Sequence, residues 1–156
     1  MNLNLSYQTK LNRASIDQLG EIYGHFYNCR EWFPHIRKDY VERNIKAQNV
    51  IYDNGVIIIY NQYQRRQRIG TVEAIRGDYI LHQILNPFRD SGKPSVASEI
   101  LQKFCDECAS NVYLSVRADN TRAASFYTKN GFRLVGKTSW MNGTLPGLVF
   151  LYSLAK

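Results

Sequence analysis

Apolar and polar positions alternate at the start of the chain: Leu3, Leu5 and Tyr7 are separated by polar residues, which predicts a strand over Leu3–Tyr7. The period then lengthens. Ile16, Leu19, Ile22, Tyr23, Phe26 and Tyr27 recur at helical spacing behind Ser15, an N-cap residue, with Asp17 and Glu21 in the early turns. Phe33-Pro34-His35 breaks that pattern. A second helix follows, with Ile36, Tyr40, Val41 and Ile45 on one stripe and Arg37, Lys38, Glu42, Arg43 and Lys46 outside it.

Beyond residue 49 the pattern becomes that of strands. Val50-Ile51-Tyr52 and Val56-Ile57-Ile58-Ile59-Tyr60 flank Asp53-Asn54-Gly55, a hairpin signal. Arg65-Arg66-Gln67-Arg68 reads as an exposed turn, Ile69 to Ile75 as a strand, Gly77-Asp78 as a turn and Tyr79 to Leu85 as an apolar strand. Pro94 suits the first turn of a helix whose apolar face is Val96, Ile100, Leu101, Phe104 and Cys105. Val112 to Val116 reads as a strand, and Thr121 to Asn130 as a helix stopped by Gly131. Phe132 to Thr138 and Leu148 to Leu154 are expected to close a mixed α+β sheet domain covering residues 1–156.

Composition narrows the class. A chain of 156 residues, 44% hydrophobic and 21% charged, builds one soluble domain without staples. No apolar run approaches the roughly 20 residues of a membrane helix, and the first residues have neither the basic nor the apolar region of a signal peptide. A cytoplasmic protein, monomeric or homodimeric, is expected. Cys29, Cys105 and Cys108 fit reduced thiols in the core; a zinc site using Cys105 and Cys108 with His25 and Cys29 lacks a second paired motif, so no metal is expected. The net charge of +7 favours an anionic partner, either a nucleic acid or a phosphorylated cofactor.

Two segments carry chemistry. Ile84-Leu85-Asn86-Pro87-Phe88-Arg89-Asp90-Ser91-Gly92-Lys93-Pro94-Ser95 runs from a strand through a glycine-containing loop into a helix, where backbone N–H groups converge on an anion. It is not a Walker loop, since Pro87 replaces the first glycine and Pro94 the hydroxyl residue; a Rossmann fingerprint is also missing. A plain strand-to-helix turn remains the alternative. In the second segment, Asn120 stands at a helix start, and Ala123, Phe126, Tyr127 and Asn130 share one face at three- and four-residue intervals. A core helix with an aromatic stripe would show the same face.

The second segment resembles the Asn-x-x-Ala-x-x-Phe-Tyr-x-x-x-Gly-Phe stretch of GNAT acetyltransferases at Asn120, Ala123, Phe126, Tyr127, Gly131 and Phe132. Arg89-Asp90-Ser91-Gly92-Lys93-Pro94 is similar to that family's Gln/Arg-x-x-Gly-x-Gly/Ala loop, departing at Pro94, which removes an N–H donor. The resemblance implies a GNAT-like, mostly antiparallel twisted sheet flanked by helices and splayed between its fourth and fifth strands, with acetyl-CoA in the gap. It assigns pyrophosphate contacts to Gly92, Lys93 and Ser95 with Arg89 and Ser91 beside them, and pantetheine pairing to the backbone of Ile84 and Leu85. Asn120, Ala123, Phe126 and Tyr127 would line the other wall. The implied reaction is direct attack of an amine on the thioester, with Tyr127 as the acid for the departing thiolate and His82 or Glu73 as the base. His82 could equally be a core histidine bonded to backbone. By family position, Trp32, Phe33, His35, Trp140 and Met141 would surround the acceptor.

Two other functions compete. Tyr60-Asn61-Gln62-Tyr63-Gln64-Arg65-Arg66-Gln67-Arg68 interleaves aromatics with arginines in the manner of nucleic-acid binders, although a solvated hairpin tip is favoured over such a partner. An acetyltransferase acting on aminoacyl-tRNA or a modified base would combine both properties. The other competitor is a GNAT-like module that binds CoA without catalysis.

Overall fold

Residues 10–88, 95–140 and 142–153 are described by a computed structural model of the chain, so the strand expected over Leu3–Tyr7 lies outside them. The described residues hold four α-helices and eight strands: α1 (Leu19–Asn28), α2 (Lys38–Lys46), β1 (Val50–Asp53), β2 (Val56–Gln62), β3 (Gln67–Ile69), β4 (Val72–Ala74), β5 (Tyr79–Leu85), α3 (Ser95–Cys108), β6 (Val112–Arg117), α4 (Thr121–Lys129), β7 (Arg133–Trp140) and β8 (Leu145–Tyr152). They divide into two compact units, one drawn from residues up to Tyr60 with Gln83–Phe104, the other from Asn61–His82 with residues from Cys105 onward.

In the first unit, Ser15 N–H donates to Gln18 Oε1 at 2.9 Å, and Ile16–Gln18 form a 3-10 turn before α1 begins. The α-helix therefore starts later than Ser15 capping suggests. The second helix also starts later than Ile36, at Lys38, after Arg37 in an extended conformation. β1 and β2 form the expected hairpin, antiparallel from Val50↔Ile59 to Asp53↔Val56. Its two central residues, Asn54 and Gly55, have φ of 50° and 81°, the left-handed pair that matches the twist of flanking strands. Val56 to Tyr60 are all buried, as in a strand covered on both faces. Ile57 and Ile59 join Ile22 and Phe26 of α1 and Val41 and Ile45 of α2 in one apolar cluster. Tyr60, with the opposite side-chain parity, meets Phe104 of α3 edge-on at 5.0 Å between ring centroids.

The second unit is a sheet with different cover on each face. β6 pairs antiparallel with β8 from Val112↔Tyr152 to Arg117↔Gly147, and β8 pairs antiparallel with β7. β5 runs parallel to β6. Val149 and Leu151 of β8 pack with Ala74, Ile80 and Tyr113, and with Ile69 and Val72 of the β3–β4 hairpin. Phe150, of opposite parity, meets Tyr127 of α4. The region read as one strand from Ile69 to Ile75 is instead a hairpin turning at Gly70-Thr71, and Gln67 and Arg68 belong to β3 rather than to a turn. Gly70, at φ 59°, permits the reversal, and Thr71 N–H donates to the Lys137 carbonyl at 2.8 Å. The mostly antiparallel sheet flanked by helices agrees with the expected α+β class.

Candidate active site

The first relevant geometry is an interrupted ladder. β5 and β6 pair at Tyr79↔Val112 and Ile80↔Tyr113, and within this unit no further pair follows, although β6 continues to Arg117. The β6 edge opposite β8 therefore presents backbone donors and acceptors from Leu114 onward without a strand partner on β5 in the second unit.

The turn after β6 is locally determined. Arg117 Nε and Nη2 donate to the two Asp119 carboxylate oxygens at 3.0 and 2.8 Å, and this fork holds the exposed Asp119 carboxyl below its ordinary value. Asn120 N–H donates to the Arg117 carbonyl at 3.0 Å, closing the turn. Asn120 Oδ1 then accepts from Ala123 N–H at 3.1 Å, the expected N-cap of α4. Capping uses the oxygen of the amide and leaves its NH₂ group able to donate to a ligand. Ala123 and Phe126 are half-buried, on the same face as Tyr127.

Tyr127 is buried among aromatics. Its ring centroid lies 5.4 Å from Phe126, 5.6 Å from Phe132 and 6.4 Å from Phe150. Desolvation pushes its phenol well above the ordinary tyrosine value, so it keeps its proton throughout the neutral range.

His82 is not a core histidine. It lies exposed on β5 two residues after Ile80, with Nε2 2.9 Å from Asn61 Oδ1 on β2. Although its side chain reaches solvent, the surrounding protein desolvates the ring enough to hold its pKa below the ordinary histidine value. Glu73 lies on β4, opposite Arg68 in the β3–β4 register, with Oε2 3.8 Å from Arg66 Nε. Its carboxylate is thus engaged within the hairpin.

In the first unit, Leu85 joins the apolar cluster around Phe26, leaving only its backbone for a ligand, and Ile84 is half-buried. Arg89, Ser91, Gly92, Lys93 and Pro94 lie outside the described residues, and Ser95 begins α3. Among the residues expected near an acceptor, Trp32 and His35 are exposed, whereas Phe33 stacks edge-on against Phe26 at 5.2 Å and serves the core. Trp140 ends β7 with its ring over Gly147, and Met141 lies outside the described residues. A surface depression of about 390 Å³ is lined by Tyr23, Ile36, Arg37, Lys38 and Asp39, but Arg37 Nε already holds the Asp39 carboxylate at 3.2 Å.

No local pattern in the sequence marks Asn61 as the partner of His82, or Gln83 Oε1 as the acceptor for the Tyr40 hydroxyl at 2.9 Å. Both contacts join residues far apart in the chain, and only the fold brings them together.

The mixed, mostly antiparallel sheet flanked by helices matches the fold of solved GNAT acetyltransferases. The chain resembles a GNAT-family acetyltransferase from Streptococcus agalactiae at TM-score 0.71 and 11% identity, over 94% of this chain and 96% of that one. It is similar to Ard1 from Thermoplasma volcanium at TM-score 0.68 and 15% identity, over 94% and 98%. Against the ribosomal-protein-S18-alanine N-acetyltransferase from Escherichia coli the TM-score is 0.60 at 14% identity, over 94% of each chain. At such identities the likeness is one of fold. The sequence matches no protein-family model and no curated protein.

Proposed function

We propose that this chain is an N-acetyltransferase that moves an acetyl group from acetyl-CoA to a primary amine by direct attack in a ternary complex. The observation that carries the reading is that, within the second unit, the β5–β6 ladder ends after Ile80↔Tyr113 in a GNAT-type fold. The β6 backbone from Leu114 onward, which has no partner on the second-unit part of β5, the spare Asn120 amide donor and the small Ala123 are groups suited to an extended, amide-bearing cofactor. Acetyl-CoA supplies the acyl thioester. The loop residues Arg89, Ser91, Gly92, Lys93 and Ser95 bind its pyrophosphate, and the Ile84 and Leu85 backbone binds its pantetheine arm.

The remaining roles belong to named side chains. His82, kept neutral by desolvation, takes the proton from the acceptor ammonium or from the attacking amine. A backbone N–H near Leu85 donates to the oxygen on which negative charge develops. Tyr127, kept protonated by burial, donates to the departing sulfur. Glu73 is the less suitable base, because Arg66 already lies against its carboxylate.

Calorimetry with acetyl-CoA and a screen of primary amines for CoA release test this function. Gly92→Glu places a carboxylate against the pyrophosphate and should abolish acetyl-CoA binding in a folded protein. Unchanged affinity in that variant would remove the loop from the site. Cofactor binding without turnover of any amine would favour the non-catalytic module.

A further inference from the structure

Exposed histidines ordinarily sample both neutral tautomers and several ring orientations, and a general base needs neither freedom. His82 is held in another way. It lies on β5 two residues beyond Ile80, the last residue paired with β6 in this unit, and its ring is tied laterally to β2 through a 2.9 Å contact between Nε2 and Asn61 Oδ1. The two residues are 21 positions apart, joined by the β3–β4 hairpin, and both belong to the second unit.

The chemistry of the contact determines the proton's position. A neutral imidazole carries one N–H donor and one lone-pair acceptor, and a side-chain amide oxygen only accepts. Asn61 Oδ1 therefore requires the proton on Nε2, which leaves the lone pair on Nδ1. We propose that Asn61 is a positioning residue for His82, fixing the Nε2–H tautomer and orienting Nδ1 as the basic atom. This assignment rests on the reading of His82 as the base of an acetyltransferase.

A neutral partner has a further consequence. A carboxylate at position 61 would also accept from Nε2, but it would favour the imidazolium and raise the pKa. Asn61 orients the ring without that charge. Desolvation by the surrounding protein holds the His82 pKa below its ordinary value. A base thus remains unprotonated at neutral pH, with its proton-accepting atom specified by a hydrogen bond.

Nitrogen-15 NMR of the histidine-labelled protein, with His82 assigned by the loss of its signals in His82→Gln, reads the tautomer directly. The expected result is protonated Nε2 and unprotonated Nδ1. Asn61→Leu should give mixed tautomers and lower kcat about tenfold with little change in KM for acetyl-CoA. Asn61→Asp should restore the Nε2–H tautomer while moving both the imidazole titration and the acid limb of kcat/KM upward by about one pH unit. A wild-type protein with the proton on Nδ1, or a tautomer unaffected by Asn61→Leu, would overturn the proposal. Should Asn61 control the tautomer while His82→Gln retains full turnover, the orientation stands and the base assignment fails.

Discussion

At Tyr127 the packing of the ring bears directly on the acid role proposed for its hydroxyl. Phe126, Phe132 and Phe150 surround its ring, and the desolvation that accompanies this burial keeps the hydroxyl protonated. A leaving-group acid acts in the transition state, so Tyr127→Phe should lower kcat about 10²-fold or more while leaving acetyl-CoA affinity nearly unchanged. Because the folded pKa lies above the unfolded value of about 10, the proton is retained below that pH and the associated stability is lost as pH rises through the folded pKa. An equally active Phe variant, measured at neutral pH, would transfer the acid role to another group or to water. Asn120 and Tyr127 were legible because a cap and an aromatic face leave marks at short, fixed spacings. Asn61 left none: its value depends on register between β2 and β5, which no local pattern encodes.

The two glycine turns make the same contrast for whole elements. Asn54-Gly55 between apolar runs announces a hairpin because both central residues need φ > 0. Gly70-Thr71 is hidden, since a lone glycine among the β-branched strand formers Ile69, Thr71 and Val72 lacks the paired turn residues of a hairpin signal. The conformation at Gly70 is nevertheless strongly constrained. A Cβ there would collide with the Lys137 carbonyl and stand 2.6 Å from Thr138 Cβ, on top of the cost of φ 59°. Gly77, at φ 96°, has nothing within 4 Å of such a Cβ. We therefore expect Gly70→Ala to destabilise the protein by more than the roughly 1–3 kcal/mol of a strained backbone alone, with Gly77→Ala limited to that strain. Chemical denaturation of both variants checks the order, and equal losses would mean that β7 yields readily to the hairpin.

At the scale of the whole molecule, the net charge of +7 asks for an explanation that the proposed cofactor loop supplies only in part. Arg65, Arg66 and Arg68 belong to no cofactor motif, and all three are exposed on the segment leading into and along β3. They track phosphates in one reading and guard a strand edge in the other. The structure gives the second a physical basis: among the described residues β3 pairs only with β4, so its outer edge is open, and arginines there discourage pairing with another chain. Arg66 approaches Glu73 at 3.8 Å and Arg68 Nη2 donates to the Gly70 carbonyl at 3.3 Å, contacts that use the charges within the hairpin. We therefore expect no tight binding when labelled tRNA or duplex DNA is titrated at moderate salt. Changing all three arginines to Ser should leave turnover of a small amine the same, because none holds an assigned role in transfer. If the wild-type protein instead binds tightly, and the triple change weakens that binding while lowering the salt slope by about three at most, then the arginines contact phosphates. An amine carried on a nucleic acid would then become the leading acceptor, and the hairpin would be its docking element.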